Sequence, residues 1–183
     1  MQTVILDGNT LKIKDIYALI RDKKIKIKIA PKALRVVRKC KAFLDKVSTH
    51  KVIYGVNTGF GPMASHIVGR DQLEELQMNL IRSHATGMGE PIKSEFVLAT
   101  MVVRLNTLIK GNSGVSEELV KRLEKFINLR ILPIIPEHGA VGTSGDLVQL
   151  AHIALALIGE GDVEYKGEVV STRILLKKLY IPP

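Results

Sequence analysis

Residues 142–161, GTSGDLVQLAHIALALIGEG, are the stretch of sequence that decides the fold. Glycine and small hydroxylated residues open it, as they do at many helix starts, and apolar residues follow at helical spacing. The glycines at 159 and 161 end the pattern. We therefore predict a helix from about residue 144 to 158, capped by Thr143 or Ser144. Its free amides could hold an anion, but no Gly-Lys-Ser/Thr follows to make a phosphate loop.

The pattern on either side of this helix predicts a mainly α-helical chain with a few short strands. We expect one unit over residues 1–183, with a small mixed α/β lead-in at 1–50 and a mostly helical part at 51–183. The expected helices are 13–21, 31–47 (opened by Pro31), 71–84, 94–110, 116–128 (capped by Ser116) and 172–179. The expected strands lie within 2–30 and in a hairpin at 162–170. Residues 51–56 are expected to form a short extended segment, and 57–62 and 132–142 to be irregular.

The composition is that of an ordinary globular domain, with 46% hydrophobic and 25% charged residues in 183. No apolar run is long enough to cross a bilayer, and we see no signal peptide at the start. The net charge of +9 arises mainly before residue 52, where KIKIKI at 24–29 alternates as a half-exposed strand does. A basic nucleic-acid-binding protein is an alternative. It is disfavoured because aromatic residues make up only 4% of the chain.

Two further segments carry candidate chemistry. Residues 54–61, YGVNTGFG, form a glycine loop. They match a dinucleotide fingerprint only weakly, because Pro62 follows the second glycine. Residues 79–87, NLIRSHATG, end an apolar helical stripe at His84, and a lone histidine in that position is more often packed than functional. The five histidines show no paired ligand spacing and Cys40 stands alone, so we expect no metal site.

Taken in their order along the chain, 54–61, 79–87 and 142–161, these three segments resemble the aromatic amino-acid ammonia-lyase family, and the bacterial histidine and tyrosine lyases in particular. The resemblance is dense over residues 50–170 and implies the N-terminal part of the helical fumarase/aspartase-like lyase fold. In that family an Ala-Ser-Gly tripeptide cyclises to 4-methylideneimidazol-5-one (MIO), an electrophile that needs no imported cofactor. Here the tripeptide is Thr143-Ser144-Gly145, with threonine in place of alanine. Threonine supplies only its carbonyl carbon to the ring, so we expect it to be tolerated.

The resemblance also implies the reaction, the elimination of ammonia from an L-amino acid to give the α,β-unsaturated acid. Ser144 would become the electrophilic carbon, and Gly145 would supply the ring nitrogen. Tyr54 falls at the family's catalytic base on a mobile lid, and His84 falls where the family contacts the substrate side chain. A polar group there favours histidine or tyrosine as substrate over phenylalanine.

The family resemblance further implies a cytoplasmic homotetramer whose subunits share each active site. In the family, later sequence supplies an arginine for the substrate carboxylate, so a complementary C-terminal chain is another possible partner. A non-catalytic fragment or subunit and an MIO aminomutase stay open as alternatives.

Overall fold

The computed structural model describes residues 2–69, 71–140, 145 and 147–182. Within these residues the chain is mainly α-helical with short strands, as the sequence predicts. The helices are α1 (Ile13–Arg21), α2 (Pro31–Val47), α3 (Leu73–His84), α4 (Ser94–Leu108), α5 (Glu117–Leu129), α6 (Val148–Leu157) and α7 (Thr172–Lys178). The strands are β1 (Thr3–Leu6), β2 (Lys26–Ile29), β3 (Met88–Pro91), β4 (Leu132–Pro133), β5 (Pro136–His138), β6 (Asp162–Tyr165) and β7 (Glu168–Ser171).

Strands β1 and β2 pair in parallel at the start of the chain, with Val4 opposite Ile27. The alternation of β2 places Ile27 and Ile29 in the core, as predicted. The other edge of β2 is satisfied by side chains of α5. Asn128 accepts from the Ile27 amide at 2.8 Å and donates to the Ile27 carbonyl at 3.0 Å, and Glu124 accepts from the Ile29 amide at 2.7 Å. Side chains thus replace a third strand at this edge.

The core is centred on α4 and α5. Met101, Leu105 and Phe126 are completely buried, and the same apolar cluster reaches Leu6 in β1 and Leu176 in α7. Helix α5 begins where the sequence predicts, because the Ser116 hydroxyl accepts from the Leu119 amide at 3.1 Å.

The hairpin at 162–170 is confirmed as β6 and β7, joined by Lys166 and Gly167, both with positive φ. The irregular segment expected at 132–142 is only partly irregular, because β4 pairs with β6 and β5 pairs with β3. The prolines of these strands, Pro133 and Pro136, lie at strand ends, where a missing amide costs little. The strand β3 was not predicted.

Two other predictions, the conformation of residues 54–56 and the start of α6, were wrong. Residues 54–56 form a turn rather than an extended segment, because the Asn57 side chain accepts from the Ile53 amide at 2.7 Å and folds the backbone. Helix α6 begins at Val148 rather than at 144. Gly145 has a φ of +74°, which lies outside the α-helical region, so the helix cannot extend through it.

Candidate active site

A cavity of about 540 Å³ lies between the loop at 54–61, α3 and the start of α6. It brings together the two predicted site residues Tyr54 and His84, which are 30 positions apart in the chain. Its lining residues are Tyr54, Phe60, Gly61, Leu80, Ile81, His84, Leu147 and Ala151. A second groove, of about 470 Å³, lies among α4, α5 and α6 and contains neither Tyr54 nor His84. The first cavity is therefore the candidate active site.

Tyr54 stands at the mouth of this cavity with 63% of its surface exposed. Its hydroxyl accepts from the Gly61 amide at 3.3 Å, and its ring meets Phe60 edge-on at a centroid distance of 6.1 Å. The contact with Gly61 fixes the position of the phenol oxygen at the mouth of the cavity.

The loop that carries Tyr54 is held by polar contacts and by close backbone packing. Thr58 is buried; its hydroxyl accepts from the Gly55 amide and donates to the Gly59 carbonyl. A β-carbon on Gly59 would lie 2.7 Å from the carbonyl oxygen of Met63, which leaves room for glycine only. The side-chain amide of Gln77 in α3 donates to the Gly55 carbonyl at 3.3 Å, so α3 anchors the loop.

His84 is the last residue of α3 and is half-buried at the cavity wall. Its Nδ1 lies 2.9 Å from the Leu80 carbonyl, which can only accept. Nδ1 therefore carries the proton in a neutral ring, and Nε2 is the acceptor nitrogen. The arrangement fixes the orientation of the His84 ring and leaves Nε2 as the nitrogen that can accept a hydrogen bond from a ligand.

Of the predicted tripeptide, Thr143 and Ser144 lie outside the described residues, while Gly145 is described. Gly145 is exposed, and its positive φ is a conformation that residues with a β-carbon rarely adopt. Leu147, two residues further on, lines the cavity. MIO formation would require a residue at this position whose amide nitrogen is not crowded by a side chain. Gly145, close in sequence to the cavity wall, fits that requirement.

Two polar contacts link the end of α3, or the residues just after it, to α6 or the residues just after that helix, and the sequence did not predict either contact. The Gly87 amide donates to Nε2 of His152 at 3.3 Å, and burial lowers the pKa of His152. The guanidinium of Arg82 binds the carboxylate of Glu160 through two contacts, Nε to Oε2 at 3.1 Å and Nη2 to Oε1 at 2.6 Å. Hydrogen bonding to Arg82 lowers the pKa of the Glu160 carboxyl, with a smaller contribution from the charge of Arg173. No local sequence pattern pairs residues so far apart.

Among the residues that the structure describes, no three His, Cys, Asp or Glu side chains lie close enough together to hold a metal ion. Over the same residues, no helix is both long and apolar enough to cross a membrane.

The chain belongs to the aromatic amino-acid lyase family. A family model described as aromatic amino acid lyase matches residues 11–183. This finding, together with the fold, confirms the resemblance stated from the three sequence segments.

Individual relatives give a finer comparison. The chain is 47% identical over 182 residues to a histidine ammonia-lyase of Staphylococcus aureus strain JH9, covering 99% of this chain and 36% of that protein. The crystal structure of a histidine ammonia-lyase from Trypanosoma cruzi superimposes with a TM-score of 0.89 at 38% identity, over 100% of this chain and 36% of that one. The phenylalanine aminomutase of Pantoea agglomerans gives a TM-score of 0.90 at 34% identity, over 100% and 35%. The chain thus spans about a third of the length of these relatives.

Proposed function

We propose that this chain supplies the electrophile, the base-bearing loop and the selector helix of an ammonia-lyase that acts on L-histidine. The observation that carries the proposal is that Tyr54, His84 and Leu147 line the same cavity. Leu147 lies two residues after Gly145. In this proposal the base and the side-chain selector therefore share one cavity with Leu147, the residue two positions after Gly145. The 47% identity to a histidine ammonia-lyase favours histidine over tyrosine as the substrate.

The electrophile of this proposal is MIO, formed from Thr143, Ser144 and Gly145. Ring closure joins the Gly145 nitrogen to the Thr143 carbonyl carbon and releases water, and loss of the Ser144 hydroxyl with a proton releases a second water. The group, once formed, supplies an electron-poor alkene carbon that no ordinary side chain provides.

The residues of the cavity then have distinct tasks. Tyr54, whose hydroxyl accepts from the Gly61 amide at the cavity, removes the β-proton of the substrate. A free tyrosine has a pKa of about 10, so the base also needs a positive potential from groups that complete the site. His84 offers Nε2 as an acceptor to the imidazole N–H of L-histidine, while its Nδ1 stays bound to Leu80. Phe60, Leu80 and Ala151 provide apolar walls that exclude water.

Further substrate contacts, including the one to the carboxylate, come in this proposal from additional polypeptide. This is either another subunit of a cytoplasmic homotetramer or a complementary C-terminal chain.

Product analysis tests the proposal. The assembled protein is incubated with L-histidine, and ammonia and the unsaturated acid are quantified, with Ser144→Ala as the control for the electrophile. Equal amounts of the two products, lost in Ser144→Ala, support the lyase. A β-amino acid in place of the unsaturated acid would make the protein an aminomutase. No product from the folded, assembled protein would make it a non-catalytic relative.

Selectivity provides a second arm of the experiment. His84→Phe removes the acceptor at Nε2, so kcat/KM for L-histidine should fall relative to that for L-phenylalanine. A site that hydrogen-bonds a substrate N–H can discriminate by about 10⁴-fold or more against an analogue that lacks it. An unchanged ratio between the two substrates would remove His84 from substrate selection.

A further inference from the structure

The ion pair between Arg82 and Glu160 joins α3 to the segment that follows α6, and both helices contribute to the cavity wall. Arg82 belongs to the last turn of α3, and Glu160 follows the end of α6 between two glycines of positive φ, Gly159 and Gly161. Both contacts use the planar fork of the guanidinium, a geometry that fixes orientation as well as distance. The pair therefore restrains the rotation and sliding of α3 on α6.

The elements on either side of this pair carry the proposed chemistry. Helix α3 ends in His84 and, through Gln77, holds the loop of Tyr54. Helix α6 begins three residues after Gly145. Any displacement of α3 along α6 would move His84 and the loop of Tyr54 together relative to the start of α6.

Arg82 itself does not line the cavity. Two helical positions correspond to a rotation of about 200°, so Arg82 and His84 lie on nearly opposite faces of α3. Arg82 is therefore placed away from the cavity, and we expect its effect on the reaction to pass through the placement of α3.

We propose that Arg82 and Glu160 form a positioning pair that sets the orientation of His84 and Tyr54 toward the electrophile. This inference rests on the proposed function. The side chains are 48% and 26% exposed, so the pair contributes little to overall stability. Alignment is more sensitive, since a displacement of about 1 Å can cost about 100-fold in rate.

The test uses charge reversal in the assembled protein. Arg82→Glu and Glu160→Arg are made singly and together, with the isosteric Glu160→Gln as a variant that keeps the shape of the side chain. We expect kcat for L-histidine to fall about tenfold or more in each single variant, with KM changed less than threefold, and to recover at least partly in the double variant. The intact mass should show the ring formed equally in all of them.

A readout that does not depend on turnover is the NMR signal of the His84 ring, assigned with His84→Gln. It should shift in each single variant and return toward the wild-type position in the double variant. The matched control is Arg38→Glu, which breaks a pair of similar exposure and length, Arg38 with Glu117 at 2.7 Å, between α2 and α5. It should leave both kcat and the His84 signal unchanged.

The outcomes separate this inference from the proposed function. An unmoved His84 signal in Glu160→Gln and Arg82→Glu, or an equal loss of kcat in Arg38→Glu, overturns the positioning role even if the wild type is an active lyase. If the wild type does not turn over, a His84 signal that shifts in the single variants and returns in the double variant still supports the positioning pair while the proposed lyase fails.

Discussion

Replacing Tyr54 by phenylalanine should separate catalysis from stability. The hydroxyl is the proposed base, and general-base catalysis contributes about 10²–10⁴-fold. The expected loss corresponds to about 2.7–5.4 kcal/mol of activation free energy, at about 1.36 kcal/mol for each factor of ten. By contrast, the hydroxyl accepts one long hydrogen bond, 3.3 Å from the Gly61 amide, on a side chain that is 63% exposed. The free energy of unfolding should therefore change by less than about 1 kcal/mol.

The assay compares ammonia release from L-histidine with urea unfolding for the same preparations. Tyr17→Phe is the matched control, because Tyr17 is 58% exposed and lies in α1, outside the cavity. It should leave kcat unchanged. Turnover by Tyr54→Phe within twofold of the wild type would refute Tyr54 as the base, and so would a rate loss accompanied by an equally large loss of stability.

Three further substitutions test the scaffold. Gly59→Ala places a methyl group 2.7 Å from the Met63 carbonyl oxygen and should cost about 1–3 kcal/mol in urea unfolding. Asn128→Ala leaves the Ile27 amide unpaired at the edge of β2, which should cost about 1–3 kcal/mol and speed hydrogen exchange at that amide. The lowered pKa of His152 means that the unfolded chain binds its proton more readily, so stability is full above pH 6.5 and falls as the pH drops through the lowered pKa. His152→Gln should make that acid-side decline shallower.

The controls for these variants are local. The control for Gly59→Ala is Gly61→Ala, whose added methyl group meets open space, so that only the strain of a positive φ, about 1–2 kcal/mol, is expected. A Gly59→Ala protein as stable as the wild type would contradict the packing described for the loop. Asn112→Ala, at an exposed position, should be neutral. An unchanged acid limb in His152→Gln would remove His152 as the source of the pH dependence.

Local signals in the sequence predicted much of the fold because they act over a few residues. Pro31 sets the first turn of α2, and Ser116 caps α5 with its own hydroxyl. The alternation around Ile27 fixes which face of β2 is buried. Each of these effects is decided within one turn or one strand.

The parts that were missed depend on contacts between distant segments. The strands that contain Pro133 and Pro136 form because β6 and β3 offer partners, which proline content alone cannot reveal. The turn at 54–56 exists because the Asn57 side chain bonds to the backbone.

In the candidate site, too, some features could be found from local sequence and others only from contacts between distant segments. Tyr54 and His84 were identified by resemblance, and the structure brings them into one cavity. The ion pair of Arg82 with Glu160 joins residues 78 positions apart, so only the packing of α3 on α6 reveals it.

The intact mass of the folded, assembled protein tests the central claim most directly. The claim is that Thr143, Ser144 and Gly145 close into the electrophile of an ammonia-lyase. We predict a mass lower than that of the encoded chain by two water molecules, and a Ser144→Ala variant that lacks this deficit. An unmodified mass in the folded wild-type protein would contradict the claim.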